Sequence, residues 1–130
     1  MTQEIHTVTS APQTHDLQEA LDRLPVGIEG IREAAALLDG VVERTELHHS
    51  RALEQSVGAP VWLKAENLQR AGSFKVRGAY VRMAKLSEAE KRRGVVAASA
   101  GNHAQGVAQA ARRLGIKARI YMPLGAALPK

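Results

Sequence analysis

VVAASAGNHAQG, residues 95–106, is the stretch that decides the fold of this chain. Val95 to Ala98 form an apolar run typical of a buried strand, and Ser99 to Asn102 form a polar turn. A helix follows and is closed by Gly115. The predicted buried side of this helix carries Ala104, Val107, Ala108, Ala111 and Leu114. Residues 118–122 are the next predicted strand.

A strand, a glycine-containing turn, a helix and a second strand make a βαβ unit. The two strands of such a unit are parallel neighbours joined by a right-handed crossover. The sequence therefore predicts an α/β fold, with a parallel sheet and flanking helices. In such sheets ligands bind at the carboxyl ends of the strands, so a ligand is expected at the turn from Ser99 to His103.

Three elements are predicted near the start of the chain. A helix is predicted after Pro25, because four apolar residues fall at helical spacing, and Gly40 is placed to end it. A second helix runs from a cap at Ser50 to about Gly58, and Val61–Leu63 form a short strand. The apolar residues of the first helix are Ile28, Ile31, Ala35 and Leu38.

Two more helices are predicted before the central stretch. Ser73 is the expected N-cap of the first helix, which places Lys75 in its first turn. The second helix opens with the capping-box pattern of Ser87–Glu90 and ends at Gly94. The apolar stripe of the first helix consists of Val76, Ala79, Tyr80 and Met83.

The composition is that of an ordinary globular domain, with 130 residues, of which 45% are hydrophobic and 24% charged. We interpret residues 1–24 as a mobile N-terminal extension and residues 25–130 as the folded part. The chain has no Cys, which excludes disulfides and thiolate metal sites. It shows no secretory signal and no membrane-spanning run, so we expect a cytoplasmic protein without a membrane partner.

The formal net charge of +5 permits nucleic-acid binding. However, the basic residues are scattered and are not interleaved with aromatic residues that could stack on bases, so we expect solvated faces and no nucleic-acid partner. His48 and His49 would point about 100° apart on a helix. We therefore expect surface histidines and no metal site.

Lys75 is the first residue with a chemical role to consider. An ordinary lysine is a poor nucleophile at neutral pH, but a helix start and the cation of Arg77 two residues on favour the neutral amine. The same helix start offers free N–H groups to an anion. On position alone, however, a surface lysine is the commoner interpretation.

The turn from Ser99 to His103 is rich in small residues. Its exposed N–H groups could hold a carboxylate, while the Asn102 amide could bind a hydroxyl or phenolate oxygen. An equally acceptable alternative is a plain connection in which Asn102 only caps the helix. Gly106 lies inside the helix and is expected to permit close packing.

The two segments together resemble the fold-type-II pyridoxal-phosphate family, and more narrowly its threonine and serine dehydratases. Members carry G-S-F-K-x-R-G, present here at residues 72–78, and S-A-G-N-H-A-Q-G, present at residues 99–106. Residues 64–69 also look like the family's K-x-E-N-L-Q. The resemblance runs from about Ile28 to the last residue, and it implies the N-terminal part of a tryptophan-synthase-β-like fold.

The resemblance implies pyridoxal 5′-phosphate as the cofactor and assigns roles to the motif residues. Lys75 would hold the cofactor as a Schiff base and would remove the α-proton of the substrate. Phe74 would pack near the cofactor ring, and Asn102 would hydrogen-bond its 3′-oxygen. The backbone of Ser99, Ala100, Gly101, Asn102 and His103 would hold the substrate carboxylate.

The implied reaction is the deamination of L-threonine to 2-oxobutanoate and ammonia, in isoleucine biosynthesis. Racemases that resemble this family have Ser where this chain has Ala100, so elimination is favoured over racemisation. O-Acetylserine and cystathionine synthases have Thr in place of His103, which argues against those activities.

The resemblance also implies a truncated catalytic domain. The glycine-rich phosphate loop and the residue that contacts the pyridine nitrogen would lie beyond Lys130, and the full-length protein is expected to be a homo-oligomer. Two alternatives stay open: an L-serine dehydratase, or a fragment that binds an anion near Asn102 without turnover.

Overall fold

The computed structural model describes residues 26–126. The predictions of a mobile extension at residues 1–24 and of Pro25 as the residue before the first turn lie outside this range. The chain divides into two compact units, residues 1–33 and residues 34–130. Helix α1 (Ile28–Leu37) is confirmed, and Gly40 beyond its end has a φ of +65°.

Two short strands pair in antiparallel fashion near the start of the second unit. They are β1 (Leu47–His49) and β2 (Trp62–Lys64), with Leu47 opposite Lys64. The predicted β2 is confirmed with a shift of one residue. Helix α2 (Arg51–Val57) lies between the strands, and the predicted cap is confirmed because the Ser50 hydroxyl accepts a hydrogen bond from the Leu53 amide at 3.4 Å.

Strand β1 was not predicted, and it changes the description of two histidines. His48 and His49 lie on a strand, where successive side chains point to opposite faces, and not on a helix. His49 Nε2 lies 2.8 Å from a carboxylate oxygen of Glu54, and its ring centroid lies 5.1 Å from that of Trp62. Within residues 26–126, no three His, Asp or Glu side chains come together as a metal site would require.

The predicted βαβ unit is confirmed. Strands β3 (Val95–Ala98) and β4 (Ala118–Tyr121) are parallel, with Val95 opposite Ala118. Helix α5 (Asn102–Leu114) connects them and ends at Gly115 in the left-handed conformation. The second strand ends one residue earlier than predicted.

Helix α3 (Lys75–Ala84) packs against α5, and this contact forms the core. The core side chains are Ala79, Met83, Val107, Ala110, Ala111 and Ile116. The predicted stripe of α3 is confirmed, with Tyr80 partly buried. On α5 one prediction is wrong: Ala108 is exposed, whereas Ala110 is fully buried. Because α3 approaches at Gly106 and Val107, the buried arc is centred on Val107 and Ala110, and Ala108 falls outside it.

The N-terminal caps of α3 and α4 (Glu88–Arg93) differ, because only α4 begins with a side-chain cap. The N-cap of α3 is Phe74 and not Ser73, although the Ser73 hydroxyl still accepts a hydrogen bond from the Lys75 amide at 3.4 Å. The capping box of α4 is confirmed, because the Ser87 hydroxyl accepts from the Glu90 amide and the Glu90 carboxylate accepts from the Ser87 amide.

No helix within residues 26–126 combines the length and the apolar character needed to cross a membrane.

Candidate active site

Lys75 is the first residue of α3, and its side chain is exposed. Its Nζ lies 5.0 Å from the centre of the Phe74 ring, which is itself 57% exposed. Nζ forms no ion pair and no hydrogen bond with any residue that the structure describes. The amine is therefore free to react with a ligand, beside an aromatic surface on which a flat ring could pack.

The start of α3 lies directly against α5. A Cβ atom added at Gly106 would be 2.9 Å from the Lys75 carbonyl carbon, 3.0 Å from its oxygen and 3.0 Å from the Val76 nitrogen. The prediction that Gly106 permits close packing is confirmed. Asn102 lies four residues earlier on α5, which is the same face of the helix one turn nearer its start. The fold thus brings the predicted residues Lys75 and Asn102 to neighbouring helix starts.

The turn before α5 is organised by Ser99. Its hydroxyl accepts hydrogen bonds from the amides of Gly101, at 3.2 Å, and Ala104, at 3.3 Å. The N-cap of α5 is Gly101, and the exposed Asn102 side chain makes no capping bond. The alternative in which Asn102 only caps the helix is therefore wrong.

Three amides of this turn remain available to a ligand. The N–H groups of Ala100, Asn102 and His103 donate no hydrogen bond within the described range of the chain. They stand at the start of a 13-residue helix, where the peptide dipoles favour an anion. The turn follows the carboxyl end of β3, as predicted, and could hold a carboxylate there. The His103 side chain borders a separate groove that also includes Gly78.

Arg77, which is expected from the sequence to favour the neutral Lys75 amine, has an ion-pair partner of its own. Its guanidinium binds the Glu66 carboxylate through Nε and Nη2, both at 2.8 Å. The hydrogen bonds from Arg77 are the main reason that the pKa of Glu66 is lowered to about 2, with further contributions from Thr45 and Gln69, and burial opposes the shift. The same pair raises the pKa of Arg77.

The Glu66–Arg77 pair belongs to a larger network that sequence reasoning missed. We define the polar clamp as Thr45, Glu66, Gln69 and Arg77. The Thr45 hydroxyl donates a hydrogen bond to Glu66 Oε1 at 2.7 Å. The side-chain nitrogen Nε2 of Gln69 donates one to the backbone carbonyl of Glu43, also at 2.7 Å. Thr45 and Gln69 are buried. The K-x-E-N-L-Q motif was the available signal, but nothing in it indicated Arg77 as the partner of Glu66.

The described residues fit pyridoxal phosphate at this place. A free primary amine, an exposed aromatic ring and a turn with unbonded amides lie at the starts of two packed helices. An amine can condense with an aldehyde, and the amides can bind a carboxylate.

The chain is similar in sequence to known ammonia-lyases and dehydratases. An L-threonine ammonia-lyase from Thermotoga maritima is 56% identical over 105 residues, which are 81% of this chain and 26% of that protein. An L-threo-3-hydroxyaspartate ammonia-lyase from a Pseudomonas species is 50% identical over 98 residues, 75% of this chain and 31% of that protein. Further relatives are named as catabolic and biosynthetic L-threonine dehydratases. The chain thus spans 24% to 31% of the length of these relatives.

The fold agrees with solved structures. Maize serine racemase superposes with a TM-score of 0.71 at 40% identity, covering 78% of this chain and 31% of that protein. The prediction of a fold-type-II architecture is confirmed. The sequence profile described as pyridoxal-phosphate dependent enzyme matches residues 38–130. This chain therefore belongs to that family of pyridoxal-phosphate dependent enzymes.

Proposed function

We propose that the protein is a pyridoxal-phosphate dependent ammonia-lyase that converts L-threonine to 2-oxobutanoate and ammonia. The observation that carries the proposal is the free Lys75 amine at the start of α3, seated by Gly106 against the helix that begins at Asn102. An unpaired lysine in such a position is suited to covalent attachment of the cofactor aldehyde.

The proposed roles follow from the positions of the residues. When bound, pyridoxal phosphate supplies an electron sink for the negative charge that develops at the substrate α-carbon. Lys75 Nζ would bind the cofactor and, once released, would accept the α-proton. Phe74 would pack on the ring, and the Asn102 amide would hydrogen-bond its 3′-oxygen. The free amides of the turn at residues 99–103 would orient the substrate carboxylate.

Elimination is favoured over racemisation by Ala100. Racemisation requires a second acid/base group that returns a proton to the opposite face of the α-carbon. Ala100 has only a methyl group, so this position offers no proton donor. Similarity to a serine racemase therefore supports the shared fold and cofactor, while the residue at position 100 supports the loss of the β-hydroxyl.

A second candidate is a carboxylate-binding segment without turnover. The observation that favours it is the turn at residues 99–103, where the N–H groups of Ala100, Asn102 and His103 donate no hydrogen bond to any described residue. In this case the amides at residues 99–103 would bind an amino-acid carboxylate, but Lys75 would not react. L-Serine dehydration stays the alternative to L-threonine within the first candidate.

Covalent capture separates the two candidates. The protein is incubated with pyridoxal phosphate, reduced with borohydride and digested. The mass of the peptide that contains residue 75 is then measured by mass spectrometry. We expect the reduced cofactor on Lys75 and its loss in Lys75→Arg. Formation of 2-oxo acid from L-threonine and from L-serine is followed in aliquots taken before the reduction. Binding of threonine with an unmodified Lys75 would support the second candidate and refute the first.

The cellular setting is a separate proposal, supported by the biosynthetic L-threonine dehydratase among the relatives. We place the protein in the cytoplasm as a homo-oligomer that serves isoleucine biosynthesis. Deletion of its gene should then create a requirement for isoleucine, which a Lys75→Arg copy does not relieve. Growth of the deletion strain without isoleucine would contradict the biosynthetic role.

A further inference from the structure

Gly106 touches the backbone of the residue that carries the reactive amine. The three atoms nearest to a Cβ added at Gly106 are the carbonyl carbon and oxygen of Lys75 and the nitrogen of Val76, at 2.9, 3.0 and 3.0 Å. All three are backbone atoms at the start of a helix, so none can rotate away as the end of a flexible side chain could. A methyl group at position 106 would therefore have to move the start of α3 away from α5.

The direction of this movement matters for the site. Asn102 lies one turn before Gly106 on the same face of α5, and the free amides of the turn stand beside it. The separation of the helices at Gly106 therefore sets the separation between Lys75 and these groups. We propose that Gly106 is a positioning residue: the absence of a side chain at this position fixes the Lys75 amine relative to Asn102. This inference rests on the proposed function.

Gly78 provides a matched control on the facing helix. It lies in the interior of α3, three residues after Lys75, and a Cβ added there meets no atom of residues 26–126 within 4 Å. Alanine is a better helix former than glycine, so both Gly→Ala changes favour helix formation by the same local effect. The two variants differ in the contact with the Lys75 backbone.

The experiment compares wild type, Gly106→Ala and Gly78→Ala at the full length of the coding sequence. Binding of pyridoxal phosphate is measured by titration, and the bound state is characterised by visible absorbance, induced circular dichroism and the pH dependence of both. We expect about tenfold weaker binding in Gly106→Ala, a smaller effect than the roughly 100-fold loss of rate that a misplacement of about 1 Å can cause at an active site. We also expect altered absorbance and dichroism when Gly106→Ala is saturated. Gly78→Ala should match wild type in every measurement.

The outcomes separate the possible failures. If wild type fails to bind the cofactor at Lys75, the proposed function is wrong. If Gly106→Ala loses stability but shows the wild-type spectra and pH dependence at saturation, Gly106 is only structural and the inference is overturned. Should Gly106→Ala not fold, the double variant Gly78→Ala/Gly106→Ala adds helix propensity and is measured in its place. A double variant that is also unfolded would overturn the positioning role, since position 106 would then govern folding and not the site.

Discussion

The start of α3 is held by two contacts of opposite kind. In the polar clamp, Arg77 of α3 donates directional hydrogen bonds to the Glu66 carboxylate, both at 2.8 Å. At the second contact Gly106 has no side chain, and the backbones of the two helices meet. Both contacts flank Lys75, yet only the clamp depends on charge, whereas the glycine contact depends on volume.

This difference shows how the backbone of Lys75, the proposed cofactor lysine, can be held without a contact to its amine. Neither contact engages Nζ, which forms no ion pair or hydrogen bond with a residue in the described range 26–126. Both contacts act on the backbone or on a neighbouring side chain, and the Lys75 side chain stays exposed. The two supports should therefore respond to different perturbations, volume at Gly106 and charge at Glu66.

The largest expected effect is that of added volume at the glycine contact. Gly106→Val places a branched side chain where even a methyl group meets backbone atoms at 2.9–3.0 Å. Overpacking of a well-packed contact costs typically about 1–3 kcal/mol, and we expect about 3 kcal/mol here because backbone atoms cannot move aside independently. The free energy of unfolding from urea denaturation measures this cost.

Gly78→Val is the control for this prediction, because the space around position 78 is open. We expect its stability to change by less than about 0.5 kcal/mol. Equal destabilisation by the two valines would show that helix propensity, and not the contact with Lys75, decides the result.

A smaller effect is expected from the loss of charge in the polar clamp. Glu66→Gln keeps the shape of the side chain but turns one acceptor oxygen into an amide group that faces a donor of Arg77. Hydrogen bonds to charged groups contribute about 1.5–3 kcal/mol, and Arg77 is about one-third exposed, so we expect a loss of about 2 kcal/mol. Unlike Gly106→Val, this variant should leave the packing of α5 unchanged.

Glu88→Gln is the matched control for the clamp. Glu88 also pairs with a cation at 2.8 Å, Lys91, but its side chain is 76% exposed. Surface pairs of this kind contribute little, so the variant should unfold at nearly the wild-type urea concentration. A loss of unfolding free energy in Glu88→Gln as large as that in Glu66→Gln would contradict the expectation that the clamp contributes more to stability than an exposed ion pair.

The sequence predicted the elements whose signals are local. The caps at Ser50 and Ser87 depend on residues three positions apart, and the βαβ unit follows from apolar runs separated by glycine turns. The G-S-F-K-x-R-G and S-A-G-N-H-A-Q-G motifs also indicated both halves of the candidate site. In these segments the chemistry of neighbouring residues is sufficient to specify the backbone.

The features that escaped prediction depend on residues far apart in the chain. Strand β1 has three residues and exists because Leu47–His49 pair with Trp62–Lys64 across α2. Glu66 and Arg77 are eleven residues apart, and only the fold brings them together. On α5, Ala110 is buried in place of Ala108 because the approach of α3 decides which side of the helix is covered. A single sequence carries no signal for such contacts.

The smallest expected effect is a pH dependence that belongs to the clamp alone. The pKa of Glu66 is lowered from 4.5 to about 2 in the folded protein, chiefly by the hydrogen bonds from Arg77. A lowered pKa means that the unfolded state binds a proton more readily, so the stabilisation is complete above pH 4.5 and is lost as the pH falls toward 2. Solvent screening reduces this contribution to about 1–2 kcal/mol.

The difference in unfolding free energy between wild type and Glu66→Gln isolates this term, because all other carboxylates are common to both proteins. We expect the difference to stay constant between pH 7 and pH 5 and to shrink steadily below pH 4.5. The difference between wild type and Gly106→Val involves no titrating group and should not change over the same range. A Glu66→Gln difference that is also independent of pH would mean that the clamp holds α3 by shape, as the glycine contact does, and the contrast between charge and volume would no longer stand.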